Sequence, residues 1–504
     1  MKLLLLFGTL LGFTVCEESV MSCYYSNWAI YRPYGSLGVV DVEDIADLAD
    51  VCTHLIYAFS GINEATGEIM ISDSTADLCP DDEGGQSWWH CGYKDFTDMK
   101  IDHYSLKTLI AVGGMGTDAI FSKVSADDTL RGNFVASVVP FLREHHFDGL
   151  DMNWEFPSGE ADKANFVMLL SELATVLHGE GLLLTAAVSI GISTINSGYD
   201  VPAMSEHLDL IHVMAYDFHG TWSVLTHHNA PLYKYPTDPN DQLTTDFAIH
   251  YWLAQGAPAH KLVLGLPMYG RCWTLDDSSQ HGVGAPGTVG PEGTYSRTPG
   301  MLFYSEICKH QQNHPSEWTI VNDEDMEVPY DYCFTSDSWN NAWCGYDHEE
   351  SIANKAVYAK SLGLRGMMAW TVDQDDVHKE CGTQNFPLTR KAREAFNTPL
   401  PTTSPATVTT SPATVTSPST VTASPGAGLI CYSCFDCPLT DSSTQVIQDP
   451  DYTTCFTSFV TMELGSFVVR GGEQADRQDG ECDQTDSTIS CYCVHNLCNA
   501  NPEV

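Results

Sequence analysis

Phe147-Asp148-Gly149-Leu150-Asp151-Met152-Asn153-Trp154-Glu155-Phe156-Pro157 is the stretch on which the reading of this chain turns. In an extended conformation, side chains alternate between the two faces. Asp151, Asn153 and Glu155 then share one face, and Leu150, Met152 and Trp154 share the other. A polar row of this kind is costly inside a core unless it is partnered or used. The apolar row is suited to packing against an outer helix. Pro157 ends the strand and leaves Glu155 at its carboxyl end, the end that carries the active site in a parallel β/α barrel.

Working outward from that strand, apolar runs of similar length recur at 21–28, 54–59, 106–112, 147–155, 182–189, 210–217, 262–269 and 366–373. Helix-length stretches such as 126–144 and 161–178 lie between most of them. Near-continuous apolar strands alternating with helices imply a parallel sheet covered on its faces. Eight such strands point to a closed (β/α)8 TIM barrel within an α/β fold. A doubly wound open sheet is the alternative with the same alternation.

At 504 residues the chain is long enough for more than one domain. Its formal net charge of −43 argues against nucleic acid and anionic membrane surfaces as partners, although solubility alone would also explain it. Residues 1–16 read as a secretory signal peptide: Lys2, then an apolar run, then Thr14 and Cys16 as small residues before Glu17. No later stretch reads as membrane-spanning, so the expected location is secreted and extracellular. Eighteen cysteines fit an oxidising compartment.

Several strand ends carry recognisable groups. They are Cys23-Tyr24-Tyr25-Ser26-Asn27-Trp28, Gly113-Gly114-Met115-Gly116, Met214-Ala215-Tyr216-Asp217-Phe218-His219-Gly220, Gly265-Leu266-Pro267-Met268-Tyr269-Gly270-Arg271 and Met368-Ala369-Trp370. Together with the Asp148–Glu155 pattern, they resemble family 18 glycoside hydrolases, the chitinases and chitinase-like lectins, over roughly residues 20 to 397. The chain departs from that family's signature at Asn153 and Phe156, which stand where the family has an aspartate and a tyrosine. Met115 stands where the family usually has tryptophan.

The resemblance implies a substrate-assisted reaction, an exception to the ordinary two-carboxylate scheme. Glu155 would protonate the glycosidic oxygen, and the sugar's own N-acetyl carbonyl would attack the anomeric carbon. Asn153, Asp151 and Tyr216 complete the implied catalytic set. Tyr24, Trp28, Gly113, Gly114, Met115, Gly116, Phe156, Met214, Asp217, Tyr269, Arg271 and Trp370 form the implied substrate-binding set, with Trp370 as stacking floor. No cofactor or metal is implied. The expected partner is chitin or N-acetylglucosamine oligomers, which are neutral and compatible with the acidic charge.

Asn153 retains an acceptor for the acetamido N–H but supplies no negative charge. Asp151, on the same face, is a candidate substitute for that charge. Met115 removes a stacking surface. A weakened endochitinase and a chitin-binding lectin both follow. Retention of Glu155 favours the enzyme, because the family's lectins usually lose the acid.

The segment of about 271–347 is too long for an ordinary connection. By resemblance it is a small α+β insertion between strands 7 and 8 of a barrel domain at 17–397. By resemblance also, Cys23 pairs with Cys52 and Cys308 with Cys381. Cys79 with Cys91, and Cys333 with Cys344, read as local staples. Cys272 is then left over as a small buried hydrophobe or a reactive thiol. Residues 398–428 repeat Ser-Pro-Ala-Thr-Val-Thr and read as an extended linker, a tract that cannot bury a core. Residues 429–504 hold eight cysteines and resemble the three-finger fold of the lymphocyte-antigen and urokinase-receptor superfamily. Zinc binding by the Cys-x-x-Cys pairs is the alternative. An unknown protein or glycan is the open partner of that tail.

Overall fold

The computed structural model describes residues 19–33, 35–80 and 90–400, and beyond them only the backbone of six strands between 430 and 493. The signal peptide, most of the linker and the pairing of the tail cysteines lie outside the described residues.

All eight expected strands form. They are β1 (Val20–Ser26), β2 (His54–Ile62), β3 (Lys107–Met115), β4 (Gly149–Glu155), β5 (Leu183–Val188), β6 (Leu210–Val213), β7 (Leu262–Pro267) and β8 (Gly366–Trp370). Each pairs in parallel with its neighbour, and β1 pairs with both β2 and β8, which closes the sheet. The open-sheet alternative is thereby excluded. The closing contacts also leave no unpaired edge in the barrel.

Strand β4 is organised as its alternation requires. Leu150, Met152 and Trp154 are buried in the large core between the barrel and its helices. Trp154 stacks on Phe121 at 5.4 Å and meets Phe166 edge-on at 5.5 Å. Phe121 comes from helix Asp118–Ala126, and Phe166 from helix Gly159–Gly179. The latter helix buries Phe166, Leu169, Leu170, Leu173 and Leu177, a spacing that keeps one helical face inward. Truncating Trp154 to alanine would cost about 3–5 kcal/mol. Helix starts are fixed locally as well: Asp127 caps helix Asp128–Glu144 and Thr244 caps helix Thr245–Ala254 through their side-chain oxygens.

Between β7 and β8 an antiparallel sheet is inserted, with strand order Gly287–Val289, Tyr269–Leu275, Ala342–Gly345, Val328–Cys333, Trp318–Asp323. Met301–Phe303 also pairs with Tyr269–Leu275, and helix Tyr304–Asn313 follows it. Tyr269–Leu275 begins two residues after β7, so the insertion strand that carries Tyr269 and Arg271 follows directly from the barrel.

The register of this sheet corrects one cysteine assignment. Cys23–Cys52, Cys79–Cys91 and Cys308–Cys381 pair as expected, but Cys344 is bonded to Cys272. Cys272 and Cys344 face each other across neighbouring strands with Cα atoms 4.1 Å apart. On the other side of Cys344 the register places Asp331 opposite it, two residues short of Cys333. Proximity in sequence therefore pointed to the wrong partner, and Cys333 is the buried free thiol among the described residues. Burial pushes that thiol up to about 12. Native protein should resist alkylation at Cys333, whereas unfolded, unreduced protein should be labelled there. A Cys272→Ala, Cys344→Ala double variant should lose about 2–4 kcal/mol of stability. Non-reducing peptide mapping and thermal melts check both expectations.

Within 404–504, taken by itself, strand Ile430–Ser433 pairs antiparallel with Gln445–Gln448. Strands Gly465–Gly471, Cys455–Met462, Thr488–Cys493 and Cys482–Thr485 form a second antiparallel sheet. Among the described residues no helix is long and apolar enough to cross a membrane.

Candidate active site at the carboxyl end of the barrel

The polar row of β4 separates into three different environments. Asp151 is fully buried. It accepts from the Tyr24 hydroxyl at 2.8 Å and from Thr185 Oγ1 at 2.6 Å, and His212 Nδ1 lies 3.2 Å from its Oδ1. Ser22 Oγ lies 2.9 Å from the other ring nitrogen of His212. With Nδ1–H directed at the carboxylate, Nε2 is the acceptor for Ser22. Both carboxylate oxygens are thus engaged inside the barrel. The donors to Asp151 belong to β1, β5 and β6, so it is held inside the barrel while its charge is retained.

Asn153 is 1% exposed, and its Oδ1 has no hydrogen-bond partner among the described residues. An unpaired buried acceptor costs about 1–3 kcal/mol, which makes it a prepared receptor for an incoming N–H. Glu155, at the strand end, is half-buried. Its carboxyl is pushed up to about 7, first by burial and then by the negative charge of Asp217. It therefore holds a proton where an ordinary glutamic acid is ionised.

Asp217 follows β6 with φ of +57°. Its Oδ1 accepts from the Tyr269 hydroxyl at 2.8 Å and from Arg271 Nε at 2.8 Å, with Arg271 Nη2 at 2.7 Å. The Tyr216 ring lies 6.3 Å from that of Tyr269. Burial raises the Tyr216 hydroxyl well above its usual range, so it remains a neutral donor. Met214 is half-buried and packs into the same apolar cluster as Tyr24, Tyr216, Tyr269 and Trp370.

A set of aromatic rings adjoins this cluster. Trp28 stacks on Phe59 at 5.8 Å, Phe59 lies 5.8 Å from Trp370, and Tyr24 meets Trp370 edge-on at 5.3 Å. Phe59 was not singled out in the sequence, although it closes the second apolar run; it stands three residues before the end of β2. Gly113 and Gly114 have positive φ. A Cβ at Gly113 would fall 2.2 Å from the Asn153 carbonyl oxygen, and one at Gly114 would fall 2.8 Å from the Phe59 ring. These glycines let β3 close on the site. Gly116 has room around it, with φ of +84°. Phe156 is half-buried next to Glu155. Met115 is 90% exposed, and Trp222, also missed, is 62% exposed with the Arg271 guanidinium 5.3 Å from its ring. Trp222 stands only a few residues beyond the Tyr216-Asp217 motif, a signal that could have found it.

His310, His314 and Asp337 also lie together, with donor atoms within 4.8 Å of one another. Trp318 Nε1 donates to His310 Nδ1 at 2.9 Å, so the proton of His310 is on Nε2, which faces Asp337 Oδ2 at 2.9 Å. A ligating histidine has the reverse arrangement, donating from its second nitrogen to an acceptor. The cluster fits a hydrogen-bond network on the insertion and does not fit a metal centre.

The family profile of glycosyl hydrolases family 18 matches residues 20–375. The chain is 34% identical over 405 residues to an endochitinase of Manduca sexta, an alignment that covers 77% of this chain and 70% of that one. A crystal structure of Ostrinia furnacalis Group IV chitinase in complex with allosamidin superposes with a TM-score of 0.68 at 37% identity, covering 75% of this chain and 98% of that one. Human YKL-39, described as a pseudo-chitinase with retained chitooligosaccharide binding properties, superposes with a TM-score of 0.67 at 30% identity, covering 76% and 100%. With the eight-stranded barrel closed and Glu155 at the end of β4, this chain belongs to glycosyl hydrolases family 18.

Proposed function

We propose that the protein is a secreted chitinase that hydrolyses β-1,4 bonds between N-acetylglucosamine units by substrate-assisted, retaining catalysis. The observation that carries this reading is Glu155, whose carboxyl holds its proton up to about 7 at the end of β4. Glu155 donates that proton to the glycosidic oxygen as the bond to the anomeric carbon breaks. The acetamido oxygen of the same sugar forms the new bond to that carbon and gives an oxazolinium ion. Asn153 Oδ1 accepts the acetamido N–H, and Tyr216 donates to the acetamido oxygen. Water then opens the ring while ionised Glu155 recovers a proton. Trp370, with Trp28 and Phe59 beside it, gives a stacking surface, and Asp217 and Arg271 line the adjoining subsites.

One consequence is a specific pH profile. The acid is active only when protonated, so kcat/KM should be flat below about pH 7 and fall about tenfold per unit above it. An unshifted glutamic acid would place this fall near 4.5. Release of N-acetylglucosamine oligomers from colloidal chitin, followed across pH, tests the proposal. No release at any pH, with chitin binding intact, would replace it by the second reading, a chitin-binding lectin. The neutral Asn153 and the exposed Met115 are the features that favour that reading. The cysteine-rich tail then serves to anchor a partner protein or glycan beyond the linker.

A further inference from the structure

We infer that Asn229 is a positioning residue that holds Asp217 in its left-handed turn and, through Asp217, fixes Arg271 and Tyr269 at the carboxyl end of the barrel. A φ of +57° is uncommon outside glycine and persists only where surrounding contacts impose it. Here those contacts converge on one residue. Asp217 N–H donates to Asn229 Oδ1 at 2.9 Å, and Phe218 N–H donates to the Asn229 carbonyl at 3.0 Å. Asn229 Nδ2 donates to the Tyr269 carbonyl at 2.9 Å. The fully buried amide therefore joins the turn after β6 to the strand after β7. It ties together the two segments whose side chains, Asp217 on one and Tyr269 and Arg271 on the other, meet above.

The amide is itself held from behind. Gly345 lies beside the preceding residues so closely that a Cβ there would sit 2.8 Å from His228 Cα and 2.9 Å from the His227 carbonyl oxygen. Gly345 is also the register partner of Arg271. The insertion thus sets where Asn229 stands, and Asn229 passes that position to Asp217. A planar group that accepts on one side and donates on the other is required, which leucine lacks and aspartic acid offers only when protonated.

Asp217 matters to the acid because of what else surrounds Glu155. Tyr24, Tyr199, Tyr216 and Tyr269 have hydroxyls raised by burial and stay neutral. Burial holds His219, two residues beyond Asp217, down to about 3, so it is neutral as well. Asp151 is enclosed by its own donors. Asp217 is the group whose negative charge raises the Glu155 carboxyl, and Arg271 is its ion-pair partner.

This inference rests on Glu155 as the acid, and its test is readable without turnover. The Glu155 titration can be followed by carbon-13 NMR of protein labelled at the glutamate carboxyls, the resonance being assigned by its loss in Glu155→Gln. In Asn229→Ala the midpoint should fall by about half to one pH unit, the effect of one displaced and partly screened charge. Chitooligosaccharide affinity should weaken roughly three- to tenfold. The Asp217→Ala, Asn229→Ala double variant should match Asp217→Ala alone, because the second change acts through the first. Should Asn229→Ala fail to fold, Asn229→Asp carries the test: near wild-type affinity at about pH 5, lost by about pH 8 as the new carboxyl ionises and its donor disappears. A wild-type midpoint and affinity in Asn229→Ala, with only a lower Tm, would overturn the inference. A midpoint that shifts as expected in a protein that never hydrolyses chitin would overturn the chitinase proposal and leave this one standing.

Discussion

Glu155→Gln should lower chitin hydrolysis by about a hundred- to ten-thousandfold, the usual contribution of a general acid, and leave chitooligosaccharide binding close to wild type. Glutamine keeps the shape of the side chain and can still hydrogen-bond to the glycosidic oxygen, but it has no proton to transfer. The half-buried site should accept the change without strain, because the carboxyl it replaces is already neutral below about 7. Parallel turnover and binding measurements on the two proteins decide the matter. Equal turnover would remove Glu155 from its assigned role.

Asn153→Asp carries the other large effect, in the opposite direction. Asparagine retains the acceptor for the acetamido N–H, and its Oδ1 is open to receive it. What is missing is negative charge beside the oxazolinium, which develops as the transition state is approached and does not exist in the bound ground state. A contact of this type changes turnover more than affinity. The substitution should therefore raise kcat by roughly ten- to a thousandfold, the span of one preorganised electrostatic contact, with little change in affinity. A second carboxylate would also couple to Glu155, so the acid limb of the pH–rate profile should change shape.

The structure sharpens this expectation. Asp151 is held by Tyr24, Thr185 and His212. An unchanged kcat would mean that it already supplies the charge, or that geometry is lost elsewhere in the site. Affinity in the same variant separates these outcomes. Tight binding without turnover in either protein would favour the lectin.

The family assignment and the barrel were legible in the order of residues because both rest on local periodicity. Alternation along 147–155 put polar and apolar side chains on opposite faces whatever the neighbours were, and strand-length apolar runs separated by helix-length stretches have few ways to pack. Glu155, Tyr216, Asp217, Arg271 and Trp370 could be singled out for the related reason that each stands within or just beyond the second half of such a run.

What depends on register or on distant elements was not legible. The sequence contains both Cys333 and Cys272, and only the pairing of Ala342–Gly345 with its two neighbours decides which one faces Cys344. Asp151 reads from the sequence as a charge on the same face as Asn153, and only the structure shows the donors from β1, β5 and β6 that hold it. Asn229 lies in a loop without periodicity, and its function exists only where the turn after β6 meets the strand after β7. Sequence alone determined which side chains each strand presents. Tertiary structure decided their partners, because hydrogen bonds and electrostatic effects act over a few ångströms in space between residues that lie tens or hundreds of positions apart in the chain.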